Sequence, residues 1–145
     1  MSGTTSVRLG TAVEKSAESY LARTGWTKTA LITTAVDEWL RIQSHPGIRF
    51  VATPDGARVA ALVKGPEVWT VAESWNQHLP ADRTVANLVA ATGLTSGEVE
   101  CALAYYADFR AEIDAEIEQL HEAQQQAYSA WERQQALYGS ARAAA

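Results

Sequence analysis

Thr5 to Gln43 reads TSVRLGTAVEKSAESYLARTGWTKTALITTAVDEWLRIQ, and the fold turns on how its first five residues are taken. Thr5-Ser-Val-Arg-Leu9 alternates with period two, with Val7 and Leu9 on one side and Ser6 and Arg8 on the other, the pattern of a half-buried strand. One short strand is not stable alone, because its backbone donors and acceptors need a neighbour. Thr11-Ala-Val-Glu14 follows with the spacing of a capping box, in which the Thr11 hydroxyl caps a helix and Glu14 reaches back. The helix expected from Ala12 gathers Val13, Ala17, Tyr20 and Leu21 on one face, and Gly25 suits its C-terminal stop. A second helix is expected from Thr27 or Thr29 to about Gln43, its inward face Leu31, Ala35, Val36, Trp39 and Leu40.

Beyond this stretch the punctuation changes. All four prolines (Pro46, Pro54, Pro66, Pro80) fall in the middle third, leaving both flanks free to be helical. Ile48–Val51 and Arg58–Val63 read as two short strands around Thr53-Pro54-Asp55-Gly56, a strong turn signal, so a hairpin is expected. Val68 to Trp75 has helical spacing in Val68, Val71, Ala72 and Trp75. Thr84–Thr92 and Ser96–Tyr106 read as two more helices joined by Gly93-Leu94-Thr95, with Leu88, Gly93 and Val99 where a helix-turn-helix hairpin packs. Its second helix opens Thr95-Ser-Gly-Glu98-Val-Glu100 without Lys or Arg, so it is expected to pack rather than read DNA; with the hairpin it would make a winged-helix-like unit for protein contacts. From about Arg110 to Tyr138 a long helix is expected, followed by a frayed tail from Gly139 to Ala145.

The chain has 145 residues, with 47% hydrophobic and 20% charged, an ordinary globular composition that rules out wholesale disorder. No apolar run approaches the roughly 20 residues of a bilayer span, which excludes a membrane protein. Met1 to Gly10 is Thr/Ser-rich and lacks the apolar run of a secretory signal, so cytoplasm is the expected location. Cys101 is the only cysteine, excluding an intrachain disulfide and a Cys-based zinc site. The net charge of −5 hides a gradient. Residues 1–50 carry six Lys/Arg against four acids, 51–109 three against seven, and 110–145 three against six, so only the front tolerates phosphate.

Strand, helix, Gly-containing turn and helix within about 40 residues resemble the ribbon-helix-helix (MetJ/Arc/CopG) family of dimeric DNA-binding proteins. The resemblance is carried by Ser6-Val7-Arg8-Leu9, Gly25-Trp26-Thr27-Lys28-Thr29 and Leu31-Ile32-Thr33-Thr34-Ala35-Val36, with Gly10 standing where members more often have a polar residue. It implies a homodimer whose paired strands enter the major groove of a short inverted-repeat operator. Thr4, Ser6 and Arg8 would then face base edges, Arg8 binding guanine O6 and N7, a contact worth roughly 1–3 kcal/mol of discrimination. Thr27, Lys28 and Thr29 at the start of the second helix would take a phosphate. The bland alternative is a solvated strand face and two ordinary helix caps.

His45-Pro46-Gly47-Ile48, Gly65-Pro66-Glu67-Val68-Trp69 and Ala102-Leu103-Ala104-Tyr105-Tyr106 look like an antitoxin-associated domain. This implies a VapB-type antitoxin of a toxin–antitoxin pair, whose partner is a PIN-like ribonuclease. The expected architecture is therefore mainly α with small β: a dimeric ribbon-helix-helix over 1–44, a hairpin plus helical antitoxin-like domain over 45–109, and a long amphipathic helix with its tail over 110–145. The remaining alternatives are a plain dimeric transcription regulator with a sensing or oligomerisation domain, and a protein–protein adaptor.

Along the last helix Ile113, Ile117, Leu120, Gln124, Ala127, Trp131, Gln134 and Tyr138 recur at steps of four and three, which marks one seam. A helix roughly 43 Å long exceeds the width of such a domain, so it folds back, pairs with its twin or docks elsewhere. Ile117, Leu120, Trp131, Arg133, Leu137 and Tyr138 are the candidate toxin-binding residues, with Arg133 or Arg142 as a cation for the toxin's carboxylates. Catalysis is not expected. Cys101 reads as a small core residue, the three histidines (His45, His78, His121) are scattered, and no phosphate loop, nucleophile elbow, metal set or cofactor motif is present.

Overall fold

The structure, a computed structural model, describes residues 3–145. It is mainly helical with one small sheet, and it divides into two compact units between Ser44 and His45.

The first unit contains α1 (Thr11–Thr24) and α2 (Lys28–Ser44). Gly25 closes α1 in the left-handed region at φ 72°, donating its N–H to the Leu21 carbonyl, where a side chain would be strained. The expected capping box at Thr11 does not form. Thr11 is already helical, Gly10 holds the extended N-cap position without a side chain to offer, and Glu14 pairs with Lys28 at the start of α2. Thr27 caps α2 instead, its Oγ1 accepting the Ala30 N–H at 3.1 Å. Residues 3–10 form no strand within the chain, since the only sheet among the described residues belongs to the second unit. Leu9 is half-buried, but Val7, expected beside it, is 68% exposed.

In the second unit β1 (Ile48–Ala52) pairs antiparallel with β2 (Arg58–Leu62), Ile48 opposite Leu62 and Ala52 opposite Arg58. The Thr53–Ala57 turn has Gly56 at φ 86°. Four helices follow: α3 (Val68–Gln77), α4 (Val85–Thr92), α5 (Ser96–Asp108) and α6 (Arg110–Ala143). Ile48, Leu62, Val71, Leu88, Val99, Tyr105 and Ile113 meet in one fully buried cluster, so every element of the unit contributes to a common core. The capping box predicted at the wrong helix appears here: Thr95 Oγ1 accepts the Glu98 N–H, and Glu98 accepts the Thr95 N–H at 2.9 Å. Arg83 spans the carbonyls of Trp75 and His78 at 3.1 and 3.2 Å, supplying donors to the end of α3. The segment expected as a tail is helical for most of its length: α6 continues through Gly139 to Ala143, 34 residues and roughly 51 Å.

Candidate functional site

Two surfaces stand out, one in each unit. The first is set by what the front unit lacks. Its two helices bury a single residue, Ala17, and α2 buries none. Val13, Val36, Trp39 and Leu40 are more than half exposed, although they are the positions whose spacing marks the inward faces. Between α1 and α2 runs an apolar groove of about 370 Å³, lined by Leu9, Val13, Tyr20, Leu31, Ile32 and Val36 among others. Fixing some forty residues costs roughly 1–2 kcal/mol each, and one buried alanine offsets almost none of it. The unit's own two helices therefore leave their apolar faces largely without cover.

The residues expected to meet DNA lie in the same unit. Thr4, Ser6 and Arg8 are exposed on the segment ahead of α1, which has no regular secondary structure. Thr27, Lys28 and Thr29 lie together at the start of α2, also exposed. Thr27 is occupied as the cap, and Lys28 is held by Glu14 across the turn. An exposed ion pair of that kind is worth about 0–1 kcal/mol, so a phosphate can take the Lys28 ammonium at small cost. Residues 1–44 carry five Lys/Arg against four acids, whereas residues 45–145 carry seven against thirteen. The field thus favours polyanion approach at the front unit alone.

The second surface belongs to α6. Its first turns are anchored: Ile113 is fully buried, Ile117 packs against the core, and Tyr106 donates its hydroxyl to Asp114 Oδ1 at 2.6 Å. His121 pairs with Glu73 of α3. Past Leu120 no residue is buried, and Tyr128, Trp131, Leu137 and Tyr138 are all about half exposed or more. The six residues named for partner binding do not form one patch. Ile117 is spent on the core and Leu120 lines a cavity, while helical phase puts Trp131 and Tyr138 on one face and Arg133 and Leu137 off it.

That cavity, about 410 Å³, lies between the hairpin turn and α6. Trp69, Asp55, Glu67, Glu116, Leu120 and Ala123 line it, and no Lys or Arg does. The Thr53 hydroxyl, and then the Ala57 backbone, hold the Asp55 carboxyl below its usual range, so it is anionic at neutral pH. Sequence reading missed this cavity because its α6 wall lies 47 to 70 residues along the chain from its other walls.

The histidines serve local roles. His45 pairs with Asp108 at 2.8 Å with its ring edge-on to Tyr105, and His78 meets the Ser74 carbonyl. Burial pushes the Cys101 thiol up, and its Sγ abuts Gly47. Among the described residues no group of three His, Cys, Asp or Glu is placed to share a metal ion. No helix among them is long and apolar enough to cross a membrane. Compared with family models, curated proteins and solved structures, the chain matches none.

Proposed function

We propose that this chain is an antitoxin-like dimeric repressor. Two copies join front units, their residues 5–9 zipping into an antiparallel ribbon that enters a major groove, and the second unit holds a PIN-like ribonuclease. The observation that carries the reading is the coreless front unit: a segment without regular structure and two helices whose apolar faces are open. A second copy supplies both missing parts at once, the hydrogen-bond partner for the segment and the cover for Leu9, Val13, Leu31 and Val36. Thr4, Ser6 and Arg8 then face base edges, with Arg8 setting specificity, and Thr27, Lys28 and Thr29 clamp the flanking phosphate. The hairpin with α4 and α5 acts as a winged-helix-like scaffold. Toxin capture falls to the outer part of α6, where Trp131 and Tyr138 offer aromatic anchors beyond the body of the unit.

The test is binding to the DNA preceding the chain's own gene, followed by fluorescence anisotropy across a salt series. Salt-dependent binding to an inverted repeat is expected, with Arg8→Ala weakening it by about thirtyfold or more, the loss of roughly 1–3 kcal/mol at each of two symmetric sites. Unchanged binding by Arg8→Ala refutes the ribbon as the reader. For the second half of the reading, a chain ending at Ala123 is expected to keep operator binding and lose inhibition of the nuclease encoded beside it. Full inhibition by that truncated chain removes α6 from toxin capture, and the absence of any inhibition by the full chain leaves a plain dimeric regulator.

A further inference from the structure

The cavity between the hairpin turn and α6 has walls that the fold itself fixes. On one side the Thr53 N–H closes the turn onto the Ala57 carbonyl at 2.8 Å, and the Thr53 hydroxyl donates to the Asp55 carboxylate. The Leu62 N–H donates to the Pro66 carbonyl at 2.9 Å, which ties the loop carrying Glu67 to the end of β2. On the other side Glu116, Gln119, Leu120 and Ala123 fall at i, i+3, i+4 and i+7, one face of α6. Ile113 in the core and the pairing of His121 with Glu73 hold α6 against α3.

The lining combines two chemistries. Val59, Leu120 and Ala123 give an apolar surface, and the Trp69 indole, packed on the core, also lines the cavity. Asp55, Glu67 and Glu116 bring carboxylates from the turn, the loop before α3, and α6. No basic residue is among the walls, and Arg58, between two lining residues in sequence, donates to the Phe50 carbonyl at 3.4 Å. A bare metal ion suits such walls poorly, because hard cations take a shell of oxygen ligands and apolar carbon supplies none. An ammonium on an aliphatic stem suits every wall, with its charge on the carboxylates and indole face and its methylenes on the apolar surface. A volume of about 410 Å³ falls within the roughly 300–1,000 Å³ of small-molecule sites. Carboxylates from three separate elements match more than one charge along the stem.

We propose that this cavity binds a linear aliphatic polyamine, its ammonium groups on Asp55, Glu67 and Glu116 and its methylenes against Trp69, Val59 and Leu120. The inference goes beyond the operator and toxin reading and does not rest on it.

The test is fluorine NMR of the full chain labelled with fluorotryptophan and titrated with spermidine at physiological ionic strength. The five tryptophans give five resonances, and Trp69→Phe assigns one of them by its loss. Spermidine is expected to move the Trp69 resonance saturably and to leave that of Trp131, exposed on outer α6, in place. Butylamine, with a single charge, is expected to bind about tenfold more weakly, and magnesium chloride to leave the resonance unmoved. Ala123 is exposed, so Ala123→Arg sets a cation in the wall without disturbing the core. It is expected to weaken spermidine binding at least about tenfold, and Glu67→Gln about threefold. No saturable shift up to about 10 mM spermidine overturns the proposal, as does a shift that Ala123→Arg leaves intact. Equal movement of Trp69 and Trp131, or the same response to magnesium, marks a diffuse counterion effect and also overturns it. Tighter binding of a capped arginine peptide than of spermidine assigns the cavity to a protein side chain and overturns the small-amine reading. None of these readouts involves an operator or a nuclease, so the two proposals fail separately.

Discussion

Val36→Asp probes the front unit most directly. In the single chain Val36 is 53% exposed, so within that chain the change is a surface substitution worth no more than about 0.5 kcal/mol. Valine and aspartate have similar helix propensities, which adds little. If a second copy covers the groove, the exposed half of Val36 is buried on pairing, and losing it costs about 1 kcal/mol per copy. A carboxylate left in an apolar contact costs about another 1–3 kcal/mol per copy. Over two copies the sum is at least about 4 kcal/mol, roughly a thousandfold in the dimerisation constant. The assay is amide hydrogen exchange read by mass spectrometry on peptides from residues 11–44, at two concentrations tenfold apart. In the parent chain protection is expected to fall on dilution; in Val36→Asp it is expected to vanish at both concentrations while peptides from α3 and α5 stay protected. Concentration-independent protection that survives Val36→Asp would refute the claim that the unit is completed from outside.

Two other expectations concern stability. Thr95→Ala should lower the urea midpoint by the equivalent of about 1 kcal/mol, because it dismantles the capping box of α5, while Thr11→Ala should be near neutral because Thr11 caps nothing. Gly47→Ala should cost about 1–3 kcal/mol, since its new Cβ would sit 2.5 Å from Cys101 Sγ, and Cys101→Ala in the same chain should recover most of it. The raised Cys101 pKa adds a sign: the folded state disfavours the thiolate, so its stabilising effect is complete below the unfolded thiol's pKa and fades as pH rises from there through the higher folded value. Cys101→Ala should flatten that alkaline decline in thermal melts.

The elements of the second unit were legible because each carries its own punctuation. Thr53-Pro54-Asp55-Gly56 makes the hairpin turn, and Gly93 with Thr95 separates α4 from α5. Capping was harder to read. Thr11-x-x-Glu14 and Thr95-x-x-Glu98 are the same local pattern, but at the first the helix has already begun and Lys28, fourteen residues on, claims the glutamate. The α6 terminus was misplaced for a related reason. An isolated helical glycine costs about 1 kcal/mol relative to alanine, and the alanines around Gly139 carry the helix past it. The residues expected to face an operator were placed by the resemblance and the order of elements, and the structure leaves Thr4, Ser6 and Arg8 exposed in a segment without regular secondary structure. The cavity between hairpin and α6 could not be read, because Asp55, Glu67 and Glu116 meet only through the tertiary fold.

A front half with one buried alanine has a further consequence for the life of the molecule. If a second copy completes it, as proposed, the unpaired front unit opens more readily than the paired one, so proteases would find the scarce, unmated copy sooner than the abundant one. Supply would then govern survival: when synthesis slackens, the first forty residues would be lost before the packed remainder, and degradation alone would report the copy number of the protein.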